Sequence, residues 1–117
     1  MDDALTHRGR VVLVTGGGGG LGAAMAEQYA LHGASVGIVD RSADGVDALL
    51  AKISALGGKV HFAKADVGKF EDCERACQSI FAALGPIDTV INNAGISPKH
   101  QGLPAPIWKM ELEEWQQ

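Results

Sequence analysis

Between Thr15 and Gly22 the chain carries six glycines, five of them consecutive, Gly16 to Gly20. Such a run has no side-chain chemistry. It offers bare backbone instead: N–H groups that an anion can approach without meeting a Cβ. Where the run opens a helix, the first amide groups lack intrahelical partners and the helix dipole favours negative charge. The chemistry on offer is therefore the grip of linked phosphates at a helix start. Two carboxylates follow at suggestive places. Asp40 stands 18 residues after Gly22, and Asp66 stands in the stretch Ala65-Asp66-Val67. A carboxylate can accept from both hydroxyls of a ribose, and a second can face the amino group of an adenine.

The glycine run fits several templates at once. Gly17-x-Gly19-x-x-Gly22 matches the general dinucleotide pattern. Gly16-x-Gly18-x-Gly20 would suit the loop of a methyltransferase that uses S-adenosylmethionine. The P-loop is excluded, because Ala23-Ala24 follow Gly22 where Lys-Ser/Thr is required.

The elements around these residues decide how they are placed. Arg10-Val11-Val12-Leu13-Val14-Thr15 is a β-branched run without alternation, as in a strand buried on both faces of a parallel sheet. From Gly20 to His32 the pattern turns helical, with Leu21, Met25 and Tyr29 at i, i+4 and i+8 and Gly33 at the stop. Residues 34–40 read as a second strand. Ser42 suits the N-cap of a helix whose apolar stripe is Val46, Leu49, Leu50, Ile53 and Leu56. Residues 59–65 form a third strand. A helix from Lys69 to Leu84 follows, carrying Phe70, Cys73, Cys77, Ile80, Phe81 and Leu84, and Gly85-Pro86 ends it. Residues 87–92 make a fourth strand. A loop over 93–107 and a helix starting near Trp108 or Leu112 complete the chain, and residues 1–9 read as a polar arm. Strands alternating with helices imply parallel βαβ units with right-handed crossovers. The expected architecture is a Rossmann-like, doubly wound parallel sheet in three αβα layers, one partial domain over residues 1–117. The glycine run, Asp40 and Asp66 then all fall at the carboxyl ends of consecutive strands, the edge where such sheets bind ligands.

Thr15-Gly16-x-x-x-Gly20-x-Gly22, Asp66-Val67 and Asn92-Asn93-Ala94-Gly95 together resemble the short-chain dehydrogenase/reductase family in order and spacing, over about residues 9–117. The Asn-Asn-Ala-Gly segment separates this reading from the methyltransferase. The resemblance implies hydride transfer between a nicotinamide dinucleotide and a secondary alcohol or ketone. It implies that one asparagine ties neighbouring strands together and that Asn93, Ala94 and Gly95 lie against the cofactor ribose. The phosphates fall to Gly16, Gly18, Gly19, Gly20, Leu21 and Gly22, the adenosine to Asp40, Asp66 and Val67, and Arg41 beside Asp40 can pair with a phosphate. Glu113-Glu114-Trp115 resembles the start of the family's interface helix, which implies a homo-oligomer, dimer or tetramer.

The family's catalytic Tyr-x-x-x-Lys, serine and helical asparagine have no match here. The one tyrosine, Tyr29, is followed four residues later by Gly33, and Ser97 comes too early. The expectation is a cofactor-binding half, inactive alone, from a protein about twice as long. A non-catalytic dinucleotide-sensing module is the remaining alternative. NAD is favoured over NADP, because Asp40 would repel a 2′-phosphate and the glycine run holds no Lys or Arg. Arg41, next to Asp40, argues the other way.

Composition excludes other classes. The chain is 46% hydrophobic and 21% charged, enough for a packed core. A net charge of −4 with scattered Lys and Arg gives no nucleic-acid footprint. No apolar run reaches the roughly 18 residues of a membrane span, and the acidic Met1-Asp2-Asp3 is unlike a secretory leader, so a cytoplasmic protein is expected. Cys73 and Cys77 are expected as buried apolar packing residues, with no metal site. The four histidines, His7, His32, His61 and His100, are expected at the surface or satisfied in the core.

Overall fold

The computed structural model describes residues 6–93, together with the backbone of two short strands at 99–100 and 103–104. Ala94, Gly95, Ser97 and the helix expected near Trp108 or Leu112, with Glu113, Glu114 and Trp115, lie outside the described residues, as do residues 1–5 of the arm.

The order is β1 (Val11–Thr15), α1 (Gly20–Leu31), β2 (Ser35–Asp40), α2 (Val46–Ala55), β3 (Val60–Lys64), α3 (Phe70–Leu84) and β4 (Thr89–Asn92). The four strands form one parallel sheet in the order β3-β2-β1-β4. Chain direction across the sheet explains the layers. From β1 to β2 to β3 the chain steps one way, and right-handed crossovers put α1 and α2 on one face. From β3 it returns past β1 to β4, so the same handedness puts α3 on the other face. The strand order reverses between β1 and β4, and a crevice at such a reversal is where doubly wound sheets bind ligands.

The continuous apolar character of β1 follows from this double cover. Val12 and Val14 pack with Val36, Ile38, Ala26, Ala30, Leu49 and Ile53 under α1 and α2. Val11 and Leu13 pack with Val39, Ala65, Ala76 and Ile80 under α3. Ile38, Ile53 and Ile80 are fully buried, each contributing about 1.5–3 kcal/mol of apolar burial.

Local details correct four expectations. The inward face of α1 is Gly22, Ala26 and Ala30, while Leu21 is 70% exposed. The stripe Leu21, Met25, Tyr29 is one residue out of phase, because the helix seats its smallest residues against the sheet and so lies close to it. Ser42 does not cap α2. The cap is Gly45, at φ 74°, while Ser42 Oγ accepts the Asp44 amide at 3.1 Å in a turn of its own. On α3 the buried residues are Ala76 and Ile80. Phe70 and Phe81 are exposed, Cys77 is exposed and Cys73 is half-buried. The cysteines are therefore not core residues, since the helix turns one narrow line toward β2 and β3. The segment 93–107, expected as a loop, contains a short antiparallel pair, Lys99–His100 with Leu103–Pro104.

Part of the arm is docked. The His7 amide donates to the His32 carbonyl at 2.8 Å, and the His7 ring meets Tyr29 edge-on at 5.1 Å between centroids. His32 Nδ1 stands 2.8 Å from the Gln28 carbonyl oxygen, and His61 Nε2 lies 2.7 Å from Ser79 Oγ. The rings of His32 and His61 thus have local polar partners, the His7 ring packs against Tyr29, and the side chain of His100 lies outside the described residues.

Candidate functional site

The site forms where β1 and β2 end. The Gly16 amide donates to the Val39 carbonyl at 2.7 Å, one last rung between the strands. The backbone then turns away. Gly16 and Gly20 have φ of 66° and 56°, left-handed values that L side chains rarely adopt. α1 begins at Gly20, with Gly19 as an extended N-cap that has no side chain to cap it, and no acidic residue stands in the first turn. A Cβ on Gly19 or Gly20 would meet nothing within 4 Å. The amide end of the helix thus opens on unobstructed space, with a partial positive charge that nothing on the helix itself offsets.

Gly22 is fixed by contact. A Cβ there would collide with the Gly16 carbonyl oxygen and fall 2.6 Å from Asn93 Nδ2. Left-handed backbone at 16 and 20 and this contact at 22 select the spacing Gly16-x-x-x-Gly20-x-Gly22. The general pattern beginning at Gly17 shares only Gly22 with that set, and the methyltransferase spacing leaves Gly22 unexplained.

Asp40 ends β2 beside the loop. Its Oδ2 accepts the Gly18 amide at 3.1 Å and its Oδ1 accepts the Ser42 amide at 3.0 Å. Charge-assisted bonds to two amides fix the carboxylate beside the glycine run, and each oxygen keeps a lone pair for a further donor. Arg41, adjacent in sequence, is exposed. Asp66 follows the end of β3. Its Oδ1 accepts the Gly68 amide at 2.9 Å, and its carbonyl accepts the Lys69 amide at 3.0 Å. Val67 beside it is 45% exposed. The structure therefore brings the glycine run and Asp40 into contact, and places Asp66 and Val67 one strand further along the same sheet edge.

Across the reversal point, Asn93 is the tie between strands. Its amide donates to Thr15 Oγ1 at 3.0 Å, Thr15 Oγ1 donates to the Ile91 carbonyl at 3.3 Å, and Asn93 Nδ2 donates to the Gly16 carbonyl at 3.2 Å. β1, β4 and the glycine turn are thereby pinned together.

The supporting roles of three residues go beyond the sequence reading. Thr15 reads as the end of a strand and the first residue of the motif Thr15-Gly16-x-x-x-Gly20-x-Gly22, without its bond to β4. Asp88, on the approach to β4, accepts the Val11 amide at Oδ2 (2.8 Å) and returns a bond from its own amide to the Val11 carbonyl (2.9 Å). Asp72 accepts the Asp66 amide at 2.9 Å. That bond, above all, holds its carboxyl below the usual carboxylate range; desolvation opposes it, and Arg75 and Lys69 each lower it further by smaller amounts. A signal for Asp72 existed: an acidic residue in the first turn of a helix reaches back to free amides. Among the described residues no group of three or more His, Cys, Asp or Glu is arranged to hold a metal ion, and no helix is long and apolar enough to cross a membrane.

Comparison with known proteins agrees with this geometry. The family model described as short chain dehydrogenase matches residues 10–117. D-threitol dehydrogenase of Mycolicibacterium smegmatis is 35% identical over 107 residues, 92% of this chain and 39% of that protein. A probable galactose dehydrogenase of Rhizobium meliloti is 43% identical over 88 residues, 74% of this chain and 34% of its own length. Among solved structures, a dehydrogenase/reductase from Sinorhizobium meliloti superposes with a TM-score of 0.82 at 31% identity, covering 97% of this chain and 43% of that one. A 7α-hydroxysteroid dehydrogenase, solved with NADH and 7-oxo glycochenodeoxycholic acid, superposes with a TM-score of 0.80 at 31% identity, covering 87% and 40%. The chain thus spans roughly two fifths of the length of the relatives it matches.

Proposed function

This chain belongs to the short-chain dehydrogenase/reductase family, and on that premise we propose that it is the dinucleotide-binding part of an NAD(P)-dependent oxidoreductase acting on a secondary alcohol or ketone. The observation that carries the proposal is the open, uncapped start of α1 with the Asp40 carboxylate bonded to the same loop. The residues present fit the cofactor. Gly19 and Gly20 leave room for a pyrophosphate against bare backbone, and the amide groups of the first helical turn face it.

In this reading the glycine turn from Gly16 to Gly22, Leu21 included, binds the phosphates. Asp40, already oriented by Gly18 and Ser42, accepts from the adenosine ribose. Asp66 and Val67 face the adenine. Asn93 holds the end of β4 against β1 so that Ala94 and Gly95 can border the second ribose. When bound, the nicotinamide supplies or takes the hydride. The family's Tyr-x-x-x-Lys, serine and helical asparagine have no counterpart in this chain, so catalytic groups are assigned to the remainder of a longer protein. Several named relatives, the threitol, galactose and hydroxysteroid dehydrogenases among them, act on hydroxylated substrates or their oxo forms, which supports that substrate class. A homo-oligomer in the cytoplasm belongs to the same reading.

NAD is proposed over NADP. A 2′-phosphate would stand beside the Asp40 carboxylate, and like charges about 4 Å apart repel by roughly 4 kcal/mol at an effective dielectric near 20. The exposed Arg41 offers an attraction that only a neutral residue at position 40 would release. Titration calorimetry of the full-length protein with NADH, NADPH and S-adenosylmethionine tests this. NADH binding at least tenfold tighter than NADPH is expected, with no heat from S-adenosylmethionine. Asp40→Ser should bring the two dinucleotides within about threefold of each other. Binding of S-adenosylmethionine alone would refute the assignment.

A further inference from the structure

Asp66 is the first residue past the β3 ladder. The amide before it, that of Ala65, still donates across the sheet to the Asp40 carbonyl at 3.0 Å. The Asp66 amide has left the sheet, and its partner comes from six residues ahead: Asp72 Oδ2, at 2.9 Å, in the first turn of α3. Lys69 is the N-cap of that helix and supplies no side-chain cap bond. In a capping box the third helical residue turns back to the N-cap amide. Asp72 holds that third position but reaches further, over Lys69, Gly68 and Val67, to Asp66.

Three of the bonds that close the turn pass through Asp66, and a fourth runs from Cys73 Sγ to the Val67 carbonyl at 3.4 Å. The Asp66 carbonyl accepts the Lys69 amide, its Oδ1 accepts the Gly68 amide and its own amide is taken by Asp72. The other oxygen of Asp72 accepts from Arg75 Nη2 at 2.7 Å, which selects one carboxylate orientation. An exposed pair of this kind adds little stability by itself. Its effect is geometric.

We propose that Asp72 is a positioning residue for adenine recognition: by accepting the Asp66 amide hydrogen, its carboxylate sets where Asp66 and Val67 stand at the carboxyl edge of the sheet. The proposal rests on the reading above, in which Asp66 faces the adenine amino group. Removing Asp72 frees the turn at its strand end while leaving the Asp66 carboxylate chemically unchanged. Discrimination should suffer more than overall folding, because small displacements of a recognition group are costly.

The test uses the full-length protein and two dinucleotides, NADH and its hypoxanthine analogue, in which a carbonyl oxygen replaces the adenine amino group. The wild-type protein should prefer the adenine form by about tenfold or more, the worth of one hydrogen bond to a charged group. Asp72→Ala should bring the ratio of dissociation constants to within about threefold of unity, and Asp72→Asn, which keeps a weaker acceptor, should fall between. Asp66→Ala, which removes the acceptor altogether, should abolish the preference and serves as the reference. An intact preference in Asp72→Ala beside its loss in Asp66→Ala overturns the proposal alone. So does a fall in melting temperature with the ratio unchanged, which marks a purely structural residue. If Asp72→Ala does not fold, Asp72→Asn decides: a wild-type ratio there overturns the proposal. No preference in the wild type, or a preference that survives Asp66→Ala, removes the adenine reading and the proposal with it.

Discussion

The Gly18 amide donates to Asp40 Oδ2 across 3.1 Å, and a Cβ on Gly18 would stand 2.8 Å from that same oxygen. The absence of a side chain at position 18 is therefore what lets the carboxylate lie against the glycine turn. The turn and the end of β2 share one hydrogen bond.

Gly18→Ala should separate binding from folding. The atom it displaces is the end of a flexible side chain, and Val46 Cγ2, at 3.2 Å, has to give only slightly. The expected loss of stability is small, under about 1 kcal/mol. The carboxylate, however, must swing from the loop. Dinucleotide affinity of the full-length protein should fall about tenfold, the equivalent of about 1.4 kcal/mol. Calorimetric titration and thermal melting of the same sample check both halves. Unchanged affinity would mean that Asp40 does not use this orientation.

Gly22→Ala should act on folding directly. Here the obstruction is backbone, the Gly16 carbonyl, backed by Asn93 Nδ2 at 2.6 Å. Neither can yield without parting α1 from the turn or breaking the Asn93 bond to Gly16, at 3.2 Å. Overpacking of this kind costs about 1–3 kcal/mol. Urea denaturation should show a loss in that range with an unchanged slope. A variant as stable as the wild type would show that the helix can retreat freely.

These contrasts also show what the sequence disclosed. The order of elements, the parallel sheet and the edge carrying Gly16 to Gly22, Asp40 and Asp66 follow from strand-like runs alternating with helical periods, which long-range packing does not overturn. Helix phase was less legible. Leu21, Met25 and Tyr29 look like an inward stripe because bulk ordinarily marks burial. Close packing of α1 instead selects Gly22, Ala26 and Ala30, residues with almost no hydrophobic signature. Phe70 and Phe81 misled in the same way. Thr15 and Asp88 escaped because each acts through a backbone partner more than seventy residues away in sequence, a pairing that no local pattern encodes, whereas Asp72 carried a local signal, an acidic residue in the first helical turn.

Strand β4 predicts the behaviour of the 117-residue chain in isolation. β4 pairs with β1 on one side, and among the described residues no strand pairs with its other side. Val90 on it is 51% exposed. An unpaired parallel edge with exposed apolar residues invites association. The isolated chain should sediment as oligomers or aggregates at micromolar concentration, and a monodisperse monomer in analytical ultracentrifugation would contradict this.

The Asp66–Asp72 bond makes a prediction about pH whose sign can be worked out. Asp72 titrates low chiefly because it accepts the Asp66 amide, with Arg75 and Lys69 adding to that against desolvation. A group whose folded pKa is depressed contributes fully above its unfolded value, about 3.9 for aspartate, and loses that contribution as the pH falls through the lower folded value. The bond should therefore be intact across pH 5–8, and adenine preference should be flat there. In nitrogen-15 spectra the Asp66 amide proton should hold a constant shift down to about pH 4 and then move, with a midpoint below that of an ordinary aspartate. Asp72→Asn should erase the transition. A midpoint at or above about 3.9, or a transition that persists in Asp72→Asn, would show that the Asp66 amide answers to another group.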